Sequence, residues 1–101
     1  MRMVVALLEP TRLERVRAAL QAVRVTRMTV CDAHAYARVG GDDVAQRTLL
    51  EIAVNDDLVE QTVQVLEAAV GSEGPADGRV FVLPLAEAVG LVPPRRGPEA
   101  V

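Results

Sequence analysis

A chain of 101 residues in which half the side chains are hydrophobic has enough apolar material for one domain around one core. Its 11 basic and 14 acidic residues, with Tyr36 and Phe81 as the aromatics, lack the basic, stacking surface that nucleic-acid binding needs. One cysteine (Cys31) and one histidine (His34) exclude an internal disulfide, a thiolate or His-pair zinc site and most Ser-His-Asp schemes, and no apolar run approaches the roughly 20 residues of a membrane span.

Arg2–Leu8 is apolar and β-branched, the pattern of a strand buried on at least one face. Thr11-Arg12-Leu13-Glu14 has the form of a capping box, with Thr11 as N-cap and Glu14 reaching back. Leu13, Val16, Leu20 and Val23 follow at helical spacing and predict one apolar face. Val25–Asp32 reads as a second strand, with Val25, Met28 and Val30 inward. Residues 37–47 form a polar, glycine-containing connection, and Thr48–Val54 is the third strand. Asn55, Asp56 and Asp57 offer N-cap oxygens to a helix from about residue 57 to Val70, striped by Val59, Val63, Leu66 and Val70 and ended by Gly71. Arg79–Leu83 is the fourth strand. Strand–helix–strand, repeated once, is the βαββαβ order of a ferredoxin-like α+β sandwich: a four-stranded antiparallel sheet with both helices on one face. The domain is expected over residues 1–91. The proline-rich tail, 92–101, has no periodicity and is expected to be extended or mobile.

Function usually sits on loops, and the glycine-rich stretch 71–79 (GSEGPADGR) is the strongest local signal. Its glycines free backbone N–H groups to form a phosphate nest, and Arg79 adds a planar two-pronged donor. The same composition also suits a plain helix-to-strand connection. Neither G-x-x-x-x-G-K-[ST] nor G-x-G-x-x-G stands as a strand-to-helix element, so P-loop and Rossmann sites are excluded. Asp42-Asp43 reads as a solvated loop tip, Asp56-Asp57 as a helix cap, Cys31 as an apolar filler and His34 as a solvent-facing loop residue. All the basic residues are arginine, so no lysine is present as a Schiff-base nucleophile.

Several linked motifs, in order, resemble the PII family of signal-transduction proteins. They are the opening strand, Glu9-Pro10, Leu13-x-x-Val16-Arg17-x-Ala19-Leu20 and Val25-Thr26-x-Met28-Thr29-Val30, then Glu51-Ile52, Asp56-Asp57 and Asp77-Gly78-Arg79-Val80-Phe81-Val82. The resemblance covers nearly the whole chain with one large gap. It implies a homotrimer, in the reducing cytoplasm that a lone cysteine suits, that binds adenine nucleotides between subunits and contacts a transporter, enzyme or regulator through a loop after the second strand. It implies a sensor without catalysis, whose ligand shifts the population of loop conformations.

Carried over residue by residue, the resemblance assigns nucleotide contact to Thr29, Ala37, Arg38, Val39, Arg47, Ala53, Ser72, Ala76, Asp77, Gly78 and Arg79. It assigns partner contact to Gly40, Gly41, Asp42 and Asp43 of a shortened loop, 37–47. That loop lacks the tyrosine that the family modifies. Val39 replaces the glutamine that holds magnesium and 2-oxoglutarate, so no metal and no 2-oxoglutarate sensing are expected. Ala35, Ala37 and Ala76 stand at usual glycine positions, while Gly90 and Val92 replace two arginines that reach the outer phosphates. Losing two charge-assisted contacts, at about 1.5–3 kcal/mol each, favours ADP or AMP over ATP. Arg95 and Arg96 compensate only if the tail folds back. Shortened relatives tied to bicarbonate transport and carboxysomes admit bicarbonate as a second ligand near Arg38 or Arg47. The alternative reading is a trimeric interaction module that has lost nucleotide binding. An acylphosphatase-like enzyme would need Arg12 and Asn55 to work together.

Overall fold

The computed structural model describes residues 1–71 and 77–101. Four antiparallel strands, β1 (Arg2–Leu8), β2 (Thr29–Tyr36), β3 (Val44–Val54) and β4 (Arg79–Pro84), form a sheet in the order β2-β3-β1-β4. Helices α1 (Leu13–Ala22) and α2 (Val59–Val70) pack together on one face. The ferredoxin-like arrangement expected from the sequence is the arrangement observed.

Alternation builds the core. Val4, Ala6 and Leu8 of β1 and Leu50, Ile52 and Val54 of β3 point toward the helices and are buried with Val16, Leu20, Leu66 and Ala69. On α2 the innermost residues are Thr62, Leu66 and Ala69, and the predicted stripe of Val59, Val63 and Val70 flanks them, partly buried. Thr62 is tolerated there because its hydroxyl donates to the Leu58 carbonyl at 2.7 Å. The opposite sheet face carries Met3, Val5, Leu49, Phe81 and Leu83, with neither helix over it.

Both predicted caps differ in detail. Pro10–Arg12 forms a 3-10 turn before α1, Thr11 faces Glu9, and Glu14 binds the Arg17 guanidinium at 2.9 Å instead of reaching back. A second 3-10 turn, Asp56–Leu58, precedes α2, and the Asn55 side chain caps nothing: its amide donates to the Pro98 carbonyl at 3.2 Å. Asp56 instead accepts from the Met1 amine at 2.7 Å, and that ammonium group, with Arg2 beside it, holds the Asp56 carboxyl below its ordinary pKa. Gly71 does end α2, with φ +70 and ψ −167, a region essentially reserved for glycine.

The second strand begins later than expected, at Thr29. The Val25 N–H is spent on the Leu20 carbonyl at the end of α1, at 3.1 Å, and so cannot enter the ladder. The third strand begins earlier, at Val44, so the connection is 37–43 and not 37–47. His34 accordingly lies within β2 and is exposed. Beyond Leu8↔Thr48, the last pair of β1, strands β2 and β3 continue alone as a two-stranded arm, pairing Ala33 with Arg47 through Tyr36 with Val44. The tail is ordered too. β5 (Val89–Leu91) and β6 (Pro94–Arg96) form a hairpin with a cis Val92–Pro93 bond, followed by a 3-10 turn over Gly97–Ala100.

Candidate functional site

Side chains along a strand alternate, so Ala45 and Arg47 share one face of the arm with Ala33 and Ala35 across from them. Asp43 and Ala37, at the arm's base of the turn, join Ala35, Ala45 and Arg47 on one side of an open cleft of about 380 Å³; Asp77 and Arg79, at the entry of β4, form the other side. The Nε of Arg47 lies 3.2 Å from both carboxylate oxygens of Asp77, and its Nη1 donates to the Gln46 carbonyl at 2.9 Å. At 16% and 24% exposure this pair is shielded more than an ordinary surface pair, so it fixes the guanidinium more firmly. Arg79 makes no ion pair among the described residues. Among the described residues the cleft thus holds two cations, Arg47 and Arg79, against two carboxylates, Asp43 and Asp77, a sum of zero.

Of the residues assigned from sequence, Ala37, Arg47, Asp77 and Arg79 are brought together here. Gly78 lines a different groove, between α2 and β4. Arg38, Val39, Gly40, Gly41 and Asp42 lie at the arm's tip, where Ala37 N–H donates to the Asp43 carbonyl and Gly41 N–H to that of Arg38, both at 3.0 Å. Val39 there is completely exposed. Thr29 opens β2 opposite Glu51, and Ala53 pairs with Met3. β2 and β4 are opposite edges of the sheet, three strand spacings or about 14 Å apart, so one chain does not unite Thr29 with Arg79. Ser72 and Ala76 lie outside the described residues. Asp43, assigned by the resemblance to partner contact, lines the cleft instead; its place becomes legible once the strand is extended, since 43, 45 and 47 then follow the period of two.

The tail folds back, yet neither of its arginines lines this cleft. Arg95 stands directly across from Gly90, and Arg96 is ion-paired with Glu87. Glycine at 90 has a packing reason: a Cβ there would come within 3.2 Å of the Pro93 carbonyl oxygen. Arg12 and Asn55 follow opposite ends of β1 and its partner, about 20 Å apart, so the acylphosphatase-like pairing is not formed. No group of three or more His, Cys, Asp or Glu side chains able to hold a metal occurs among the described residues.

The sequence profile described as "Nitrogen regulatory protein P-II" matches residues 1–93. The chain belongs to the P-II family. It is 32% identical to the nitrogen regulatory protein GlnK1 of Methanosarcina mazei, over all of this chain and 97% of that one. It is 30% identical to nitrogen regulatory protein P-II 2 of Methanothermobacter thermautotrophicus, again over all of this chain and 97% of the relative. Among solved structures, the Arabidopsis thaliana PII bound to citrate superposes with a TM-score of 0.88 at 27% identity, covering 99% of this chain and 91% of that one. This P-II chain is therefore a nitrogen-regulatory signalling protein and not an enzyme. No helix among its described residues is long and apolar enough to cross a membrane.

Proposed function

We propose that this P-II protein is a cytoplasmic homotrimer that binds an adenine nucleotide at each subunit seam, ADP or AMP in preference to ATP, and regulates a transporter, metabolic enzyme or regulator through the 37–43 turn. The observation that carries the reading is the Arg47–Asp77–Arg79 cleft, which two arginines line beside small side chains. Thr29 and Ala53 share the uncovered sheet face with Arg79, but Thr29 sits on the other edge and Ala53 at the far end of β3 from Arg47; a ring of subunits closing on that face joins one edge to the next. Ser72, Ala76 and Gly78 complete the phosphate side in this reading. Gly40, Gly41 and Asp42 at the tip face the partner.

The preference for fewer phosphates rests on the zero net charge of the cleft's described lining and on Gly90 and Val92, neither of which has a side-chain donor for a phosphate. Bicarbonate is a second ligand of the same chemistry, and Arg47 suits it better than Arg38, which lies outside the cleft lining. Calorimetry with ATP, ADP and AMP, with and without bicarbonate, tests this: saturable binding strongest for ADP or AMP is expected. The competing reading, an interaction module without nucleotide, draws on Asp77 already engaging Arg47. Absence of heat and of thermal shift with all three nucleotides would decide for it.

A further inference from the structure

The cleft carries two features that the count of missing arginines does not explain. Asp77 occupies the Nε of Arg47, so an arriving anion has only the remaining guanidinium N–H groups to use. Asp43 lines the opposite wall, is exposed, and makes no ion pair among the described residues. Its carboxylate therefore has no ion-pair partner among the described residues, and the alanine side chains around it supply no donor. We infer that Asp43 and Asp77 are specificity-determining residues that set how much negative charge the cleft accepts.

This rests on the nucleotide reading above and deepens it. Each added phosphate brings a further negative charge into a space already holding two carboxylates, and the repulsion grows with each one. Arg47 and Arg79 are the two cations of this chain that line the cleft among the described residues, and each further phosphate adds negative charge beside Asp43 and Asp77 without a further lining cation. Removing a carboxylate should therefore help ATP more than AMP, whatever it does to the affinity of either alone. The ratio of the two affinities is the useful readout, because loss of Arg47 orientation in Asp77→Asn weakens both ligands together and largely cancels.

The test is calorimetric titration of the full chain with AMP and with ATP, in metal-free buffer at low ionic strength, for the wild type, Asp43→Asn, Asp77→Asn and the remote control Glu60→Gln. Expected is a rise of about fivefold or more in the ATP-to-AMP affinity ratio for each aspartate variant, with no change for Glu60→Gln. Asp43→Asn is exposed and unpaired, so it tests the idea even where Asp77→Asn disturbs folding. A ratio that stays at the wild-type value, or that Glu60→Gln moves equally, overturns the assignment for the residue concerned while the nucleotide reading stands. No binding of either nucleotide to the wild type would instead remove the reading itself, and this inference with it.

Discussion

Leu50 sits between Ala6 of β1 and Val30 of β2 and is fully buried. Truncation to alanine leaves a void that neighbouring strands cannot close, and Leu50→Ala should lower unfolding free energy by about 2–5 kcal/mol in urea titrations. A loss under 1 kcal/mol would mean the sheet is not packed as described. Asp56 gives a prediction in pH. Its carboxyl pKa is depressed in the folded chain, first by the hydrogen bond from the Met1 amine and then by that amine's charge and Arg2. A depressed folded pKa contributes stability that is present above the unfolded value and is lost as pH falls through the folded one. Asp56→Asn should thus be less stable than wild type at neutral pH and converge with it in acid, with a smaller gap at high salt because the group is exposed. Parallel melting curves at every pH would contradict this. At this scale the sequence was informative about which residues are apolar and inward. It pointed to helix capping for Asn55 and Asp56, whose actual partners, Pro98 and Met1, are distant in sequence.

Gly71 carries the end of α2 on a backbone conformation that other residues reach only with strain, although a Cβ would meet nothing within 4 Å. Gly71→Ala should therefore cost about 1–3 kcal/mol through the backbone alone, and Gly71→Asn less than a β-branched substitution. The helices and β1 were legible because their apolar periodicity is strong over seven or more residues. β2 was displaced because Val25, Met28 and Val30 do not keep a period of two, and Val25 belongs to the helix terminus by hydrogen bonding and to the core by packing. The early part of β3 was missed for a different reason. Ala45, Gln46 and Arg47 have weak strand propensity, and it is pairing with Ala35, His34 and Ala33 that makes them strand. The tail hairpin depends on Gly90 allowing close approach of the Pro93 carbonyl, a contact that composition does not announce.

The whole molecule leaves one face of its sheet without helices, and that face includes Phe81 at 52% exposure and Leu83 at 46%. Exposed apolar area of this kind on a sheet marks an interface. If the trimer proposed here closes on it, Phe81→Asp should convert the sedimenting species from three chains to one while leaving the far-ultraviolet spectrum unchanged. A wild-type protein that sediments as a single chain at all concentrations would refute the arrangement. Architecture was readable from element order because strand–helix–strand twice has few compact solutions. Of the candidate site's residues, Arg47, Asp77 and Arg79 line one cleft within one chain, whereas Thr29 lies on the opposite sheet edge and Ala53 at the far end of β3 from Arg47, separations that a linear sequence does not show.

The arm of β2 and β3 beyond Leu8 has a further consequence. A ribbon two strands wide has no interior, and one walled by alanines gains little from burying them, so its order must be borrowed from whatever lies alongside. Amide exchange at residues 33–36 and 44–47 should then slow as protein concentration rises, while the amides of Leu50 and Ile52 stay equally protected throughout. The projecting ribbon would thereby serve as a gauge of companionship, loose in a solitary chain and firm in an assembled one.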